Sequence, residues 1–187
     1  MQPDVAKPAG DGSLRRGKGS RVMAKTIEQV LAEAEIRELQ IRYCRACDRM
    51  DFDALRACFH PDATTDYGFF GGGVDDFIEG AQVGLPMYLG TTHVTGNQLV
   101  EVDGDRAWAE HYTLATHRCP ADEIGPLRDF VTAVRYIDRL ERRGGEWRIL
   151  RRELVLDWSR SDPVVEIDPR PDVQPGRRDR GDASYNR

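Results

Sequence analysis

An aspartate in a helical segment and a histidine in an extended one could do acid–base chemistry together in this chain. Asp48 lies in the stretch 36–50, where apolar residues recur at helical spacing, and it falls at the edge of their arc. A carboxylate turned toward a core is costly unless another group satisfies it. His93 could satisfy it, because histidine titrates near neutral pH and a carboxylate can hold its tautomer. Such a pair predicts proton abstraction, with His93 as the base.

The residue pattern around His93 leaves its surroundings open. His93, Thr95 and Asn97 alternate along one face of a predicted strand, which fits either solvent or a polar pocket. A lone histidine can also be structural, and three others are present, at positions 60, 111 and 117. His111 is surrounded by small residues on its strand face and could line the same cavity. We therefore treat Asn97 and His111 as candidate substrate-binding residues.

Arg152 and Tyr43 are candidates for stabilising negative charge. Arg152 alternates with apolar residues of a predicted strand, where an arginine needs an anion or a strong acceptor. It could bind a substrate group, or it could form a structural ion pair with a buried acid such as Asp48 or Glu110. The Tyr43 hydroxyl could donate to a developing negative charge, or the residue could be core material with a polar tip.

The segment Gly68–Gly73 is a glycine-rich loop that carries Phe69 and Phe70. It lacks the Lys-Ser/Thr element of a phosphate loop, so a mobile flap is the better interpretation. Phe69 and Phe70 are expected to form part of a pocket wall. Cys44 and Cys47 have Cys-x-x-Cys spacing but fall in mid-helix without a second pair, which favours core packing over a zinc or redox site.

Composition excludes several functional classes. The formal net charge is −5, which gives no basic surface for nucleic acid, and no run of 18 apolar residues predicts a membrane span. Four cysteines without an apolar leader predict reduced thiols in the cytoplasm. No dinucleotide fingerprint, serine elbow or cluster of metal ligands is evident, so we expect no metal and no cofactor.

The 187 residues suit one domain with two tails. Residues 1–25 have no hydrophobic periodicity and are predicted to be a disordered extension, with Met23 a hypothetical true start. The folded domain is expected at 26–160. Residues 161–187, rich in Pro, Asp, Arg and Gly, are predicted to be a flexible tail.

The order of elements predicts an α+β fold. Thr26 and Gln29 form a capping box for a first helix, for which a phase shift in the apolar stripe predicts a bend at 33–35. Further helices are expected at 52–59 and 74–89, and strands at 63–67, 92–102, 106–118, 130–141 and 146–158. A long antiparallel meander with helices on one face of a curved sheet would enclose a pocket.

In order and spacing, these segments resemble the SnoaL-like group of the nuclear transport factor 2-like superfamily. The motifs that carry the resemblance are Tyr43–Asp51, Phe59–Ala63, Thr92–Asn97, Asp103–Asp105, Arg135–Arg139 and Trp147–Arg152. The resemblance implies a conical α+β barrel, in which a bent antiparallel sheet and N-terminal helices surround a deep pocket. It also implies self-association, as a dimer or trimer through the outer sheet face.

The same resemblance implies an activity. In dehydratase and dehydrochlorinase members such as scytalone dehydratase, an Asp–His pair does the chemistry, and Asp48 and His93 match it. Tyr43 and Arg152 match a tyrosine and an arginine of a bile-acid dehydratase. The expected function is a cofactor-independent lyase or isomerase, most simply a dehydratase, acting on a small hydrophobic cyclic molecule. The alternative is a non-catalytic ligand-binding or assembly module, such as a dioxygenase small subunit.

Overall fold

The computed structural model describes residues 24–165 and 171–186. Within these ranges the helices are α1 (Ile27–Arg49), α2 (Phe52–Ala57) and α3 (Val74–Gly84), with short 3₁₀ turns at Leu85–Met87 and Ala183–Tyr185. The strands are β1 (Phe59–Asp66), β2 (Gly71–Gly73), β3 (Gly90–Asp103), β4 (Arg106–Cys119), β5 (Arg128–Arg143) and β6 (Glu146–Pro163). The predicted N-terminal extension and the proposed start at Met23 lie outside the described residues, except for residues 24 and 25.

Helix α1 begins with the predicted capping box. The Thr26 side chain accepts a hydrogen bond from the Gln29 backbone, and the Gln29 side chain accepts one from the Thr26 backbone. The helix is unbroken through 33–35, where a bend is expected. Ile27 and its neighbours in the first apolar stripe are exposed, whereas the later stripe from Ile36 is buried.

Helix α1 ends at a left-handed residue, Met50, with φ 49°. The Asp51 backbone N–H then donates to Ala46 O at 3.0 Å, which closes the helix with a Schellman-type bond. This ending places Asp48 in the last turn of α1, at the edge of the sheet.

The six strands form one sheet in the order β2-β1-β6-β5-β4-β3. Strands β3 to β6 make the predicted antiparallel meander. Strand β1, however, pairs in parallel with β6, a long-range pairing that alternation within a segment does not predict. The fold is α+β with N-terminal helices against a bent sheet, as expected, but the sheet is open and does not close into a full barrel.

A β-bulge in β3 changes which side chains face inward. The register with β4 shifts between Thr95 and Gln98, so Thr95 pairs with Thr113 and Gln98 pairs with His111. Inward-facing His93 therefore precedes the bulge, and Gln98 rather than Asn97 faces inward after it. In the described ranges, no helix is long and apolar enough to cross a membrane.

Candidate functional site

Asp48 and His93 form a hydrogen-bonded pair between the end of α1 and the start of β3. His93 Nδ1 lies 2.7 Å from Asp48 Oδ1, and the His93 backbone N–H donates to Asp48 Oδ2 at 3.0 Å. The Thr91 hydroxyl donates to Asp48 Oδ1 at 2.9 Å. Three donors thus hold the carboxylate, which satisfies a group that would otherwise be costly to bury.

The contact orients the His93 ring relative to the carboxylate. A carboxylate can only accept, so Nδ1 is the donor of this contact, and in a neutral imidazole the other nitrogen, Nε2, is then the acceptor. The side chains are largely shielded, with 7% of His93 and 13% of Asp48 exposed. A shielded carboxylate next to Nδ1 fixes the orientation of the ring.

A second histidine, His117, packs edge-on against His93. Their ring centroids are 5.4 Å apart at 88°, and the Tyr88 ring lies 4.7 Å from that of His117. Burial, together with repulsion from His93, lowers the pKa of His117 to about 4, so His117 is neutral at neutral pH. The sequence pattern did not single out His117 among the other histidines. Its cross-strand register with Thr91 brings it to the pair.

Tyr43 lies in a buried aromatic cluster. Its hydroxyl is 2.8 Å from the Tyr67 hydroxyl, and its ring is edge-on to those of Phe59 and Tyr136. Burial raises the pKa of Tyr43 well above its usual value, so the phenol stays protonated and can act as a donor. Tyr67, which shares this hydrogen bond, was not identified from the sequence.

Arg152 is fully buried and forms an ion pair with Asp138. Its Nε donates to Asp138 Oδ1 and its Nη2 to Asp138 Oδ2, both at 2.8 Å. Nη2 also donates to Gln40 Oε1 at 2.6 Å, and the guanidinium carbon lies 4.1 Å from the Tyr43 ring centroid. The suggested ion-pair partners Asp48 and Glu110 are therefore wrong. Arg152 Nη1 is buried without a hydrogen-bond partner.

Several other buried polar atoms face the interior without partners. His111 is 1% exposed, neither ring nitrogen is hydrogen-bonded, and its ring packs on Tyr136 at 5.0 Å. Burial and the charge of Arg152 lower the pKa of His111 to about 3, so it is neutral. Gln98 Nε2 and Thr113 Oγ1 are unpaired as well. A run of unpaired polar atoms on β3 and β4 is typical of a surface that binds polar groups or water.

Comparison with known proteins identifies the family. The model of the SnoaL-like domain matches residues 28–153, most of the folded part of the chain. The chain belongs to the SnoaL-like family. The uncharacterized protein Rv2910c of Mycobacterium tuberculosis is 30% identical over 131 residues, which cover 68% of this chain and 86% of that protein.

Two solved structures have the same fold. Hexachlorocyclohexane dehydrochlorinase (LinA) type 2 matches with a TM-score of 0.65 at 20% identity, covering 77% of this chain and 97% of that chain. A scytalone dehydratase-like protein of Novosphingobium aromaticivorans matches with a TM-score of 0.64 at 23% identity, covering 78% and 97%. At these identities the likeness establishes a nuclear transport factor 2-like fold for this SnoaL-like domain.

The structure does not bring Asn97 or Phe69 to the Asp48–His93 pair of the SnoaL-like domain. Asn97 lies in the bulge of β3 and is exposed, although alternation from His93 would have placed it on the same face. Phe69 is 90% exposed, at a ring distance of 6.4 Å from Tyr67. Phe70 is half-buried and packs against Phe77 at 6.5 Å. The predicted loop also contains strand β2, which pairs with the end of β1.

The cysteines of this SnoaL-like domain are buried, free thiols. Burial raises the pKa of Cys44 to about 12 and that of Cys58 to about 11, and it raises the pKa of Cys47 further. In the ranges that the structure describes, no group of three His, Cys, Asp or Glu side chains could hold a metal ion.

A cleft lies between the ends of α1 and α3 and the C-terminal segment of the SnoaL-like protein. It has a volume of about 460 Å³ and is lined by residues that include Met50, Phe52, Pro86 and Arg178. The His93 ring does not line it. The unpaired polar atoms of β3 and β4 do not line it either.

Proposed function

We propose that this SnoaL-like protein is a cofactor-independent lyase or isomerase, acting as a dehydratase on a small hydrophobic cyclic molecule. The observation that carries the proposal is the 2.7 Å contact between His93 Nδ1 and Asp48 Oδ1. The Thr91 hydroxyl and the His93 backbone N–H donate further hydrogen bonds to the same carboxylate. A solvent-exposed aspartate needs no such set of donors. A carboxylate that holds a histidine base in one tautomer is itself held in place by them.

In the proposed reaction, His93 Nε2 removes a proton from carbon. Where a carbonyl is adjacent, the electron pair of the C–H bond forms an enolate, and Asp48 stabilises the imidazolium. In an elimination, that electron pair forms the new C=C bond as the C–O bond to the leaving hydroxyl breaks. The imidazolium returns its proton to that oxygen, so water leaves and His93 is restored. In an isomerisation, the proton returns to another carbon.

Arg152 and the hydroxyls of Tyr43 and Tyr67 are buried donors that could bind a substrate oxygen. Arg152 Nη1 carries positive charge and has no protein partner, and the Tyr43–Tyr67 hydroxyl pair lies beside the same guanidinium. Preorganised donors in a shielded site stabilise a developing oxyanion strongly. His111 and His117 are both neutral, so they suit hydrogen bonding to a neutral oxygen better than charge stabilisation.

The name of one structural relative supports an elimination. Hexachlorocyclohexane dehydrochlorinase removes hydrogen and chloride from a cyclic compound, and its fold matches with a TM-score of 0.65. Loss of HCl and loss of water share the first requirement, a base that removes a carbon-bound proton.

A non-catalytic binding or assembly module would be expected to lock Asp48 to an arginine, far from His93. The two arginines considered for that role have other carboxylate partners: Arg135 binds Glu110 and Asp157, and Arg152 binds Asp138. This arrangement favours the catalytic proposal.

We further propose a homo-oligomer that uses the outer face of the sheet. Val94, Leu114 and Trp158 occupy one row across the sheet and are 59%, 47% and 45% exposed. A contiguous apolar row on an open sheet suits contact with a second copy. Sedimentation of Leu114→Glu against wild type tests this: a fall in mass supports it, and a wild-type mass contradicts it.

Four unpaired cysteines fit a cytoplasmic location.

The deciding experiment measures proton abstraction directly. A panel of cyclic hydroxy, keto and halogenated compounds is incubated with the protein in D₂O, and deuterium incorporation or elimination is followed by NMR. Wild-type protein is expected to react with at least one compound, and folded His93→Gln is expected to be inactive. The control variant is His60→Gln, whose ring lies elsewhere and bonds to Glu141 O. Equal turnover by folded His93→Gln would remove the mechanism.

A further inference from the structure

Residues 171–186 lie against the end of α1, although their composition predicts a flexible tail. The Tyr185 hydroxyl donates to Asp51 Oδ2 at 2.8 Å, and Arg180 Nη2 donates to Asp51 Oδ1 at 3.2 Å. Arg49 Nε lies 3.4 Å from Asp182 Oδ1. Asp51 is also the N-cap of α2, so the segment is held at the junction of the first two helices.

The docked segment has an internal structure of its own. Asp182 is 6% exposed and accepts from the backbone N–H groups of Arg177 and Ser184, at 2.8 and 3.0 Å. The Arg45 guanidinium stacks 4.3 Å from the Tyr185 ring centroid and donates to Ser184 Oγ. Aspartate and arginine, which contributed to the prediction of a flexible tail, here supply a turn and its polar contacts.

Arg178 reaches from this segment to the backbone around the Asp48–His93 pair. Its Nη1 donates to Tyr88 O at 2.6 Å and to Leu85 O at 3.0 Å, which are carbonyls of the 3₁₀ turn before β3. Its Nε and Nη2 lie 3.4 Å from Asp48 O and Thr91 Oγ1. A single guanidinium therefore connects α1, the turn and the first residues of β3.

The acceptor Thr91 links Arg178 to the reactive groups. Thr91 Oγ1 accepts from Arg178 and donates to Asp48 Oδ1, so the hydroxyl hydrogen is directed at the carboxylate. The guanidinium fork fixes several acceptors in one plane, which an ammonium cannot do. Three elements whose ends hold Asp48, Thr91 and His93 are thereby fixed relative to one another.

We propose that Arg178 is a positioning residue for the Asp48–His93 pair, so that docking of the C-terminal segment sets the geometry of the site. The value of this geometry for catalysis rests on the proposed function. The geometry itself can be measured without any substrate.

The test uses the full chain and NMR. Two readouts report the pair: hydrogen exchange of the His93 backbone N–H, which is bonded to Asp48, and the downfield signal of the His93 Nδ1 proton. Arg178→Gln is expected to speed exchange at His93 by roughly tenfold or more and to broaden the Nδ1 signal, with core amides such as that of Leu140 unchanged. Arg178→Lys, which keeps the charge but loses the fork, is expected to restore part of the protection.

Two further variants complete the design. Arg177→Gln is the matched control, because the Arg177 side chain pairs with Asp179 inside the segment, and wild-type exchange at His93 is expected. Tyr185→Phe loosens the segment from Asp51 without touching Arg178, and it is expected to speed exchange at His93 more weakly. This variant also decides the matter if Arg178→Gln does not fold.

Wild-type exchange and an unchanged Nδ1 signal in folded Arg178→Gln, or in Tyr185→Phe if that is the variant available, would overturn the proposal. The outcome is separate from that of the substrate screen. A loosened pair in a protein that transforms no compound would support the positioning role and count against the catalytic proposal.

Discussion

Arg152 and Asp138 form a bidentate ion pair in which neither side chain is exposed to solvent. They lie on neighbouring strands, β6 and β5, directly opposite each other. Gln40 of α1 bonds to both, donating to Asp138 Oδ2 and accepting from Arg152 Nη2. This network connects the long helix α1 to the two central strands of the sheet.

Removing one member of this ion pair is expected to destabilise the fold strongly. Asp138→Leu leaves an unpaired guanidinium in the core, which should lower the free energy of unfolding by about 3–5 kcal/mol. The double variant Asp138→Leu/Arg152→Met removes both charges and should be the more stable of the two. Urea unfolding followed by circular dichroism measures this.

The control for this experiment is the exposed pair Arg160–Asp162, which lies on the same strand. Asp162→Asn should have the same urea midpoint of unfolding as wild type within experimental error, because exposed ion pairs contribute little to stability. If Asp138→Leu behaves like Asp162→Asn, the ion pair does not hold the helix to the sheet.

How far the sequence predicts the site depends on the range of the interaction. The capping box, the Asp103–Asp105 hairpin and the four long strands follow from local patterns. Asp48 facing a core from a helix end was likewise readable from periodicity. The partner of Arg152 was not, because Asp138 comes to it only through the register of β5 with β6.

A bulge explains the misplacement of Asn97, and long-range contacts explain the rest. Alternation from His93 placed Asn97 inward, but the extra residue in β3 moves it outward and turns Gln98 in. His117 was overlooked because only the β3–β4 register sets it beside His93. The docked C-terminal segment depends on contacts more than 80 residues apart in the chain, such as that of Arg178 with Tyr88.

Acid should destabilise this protein through His111. The folded-state pKa of His111 is lowered to about 3, below its ordinary value of 6.5, so the unfolded chain binds the proton first as pH falls. Stability is therefore complete above about pH 6.5 and is lost on acidification toward pH 3. His117, with its pKa lowered to about 4, adds to the same trend.

His111→Phe should flatten this pH dependence. Between pH 7 and pH 4.5 the variant is expected to lose about 2 kcal/mol less unfolding free energy than wild type. Urea titrations at the two pH values measure the difference. Tyr112→Phe, on the outer face of the same strand, is the control and should follow wild type. An identical pH dependence in His111→Phe would mean that His111 is solvated in the folded protein.

The buried cysteines, including the Cys-x-x-Cys pair, should not react with thiol reagents in the folded state. Burial raises the pKa of Cys44 to about 12 and that of Cys58 to about 11, so the reactive thiolate is scarce at pH 8. Ellman's reagent is expected to label none of the four cysteines quickly in buffer and all of them in urea. Val83→Cys, at an exposed position of α3, is the positive control and should add one fast thiol. Fast labelling of wild type would contradict this prediction and would support a redox role for Cys44 and Cys47.

The groups around the carboxylate should contribute to rate in a graded order once a substrate is in hand. Asp48→Asn cannot accept the Nδ1 proton as an anion and should slow proton abstraction by roughly 10²–10⁴-fold, as should His93→Gln. Thr91→Val removes one of three donors to the carboxylate and should cost about tenfold, mainly in kcat. Steady-state kinetics with deuterated substrate identifies the affected step, because a slower proton abstraction enlarges the isotope effect. A Thr91→Val variant slower than His93→Gln would mean that the hydroxyl, rather than the imidazole, takes the proton.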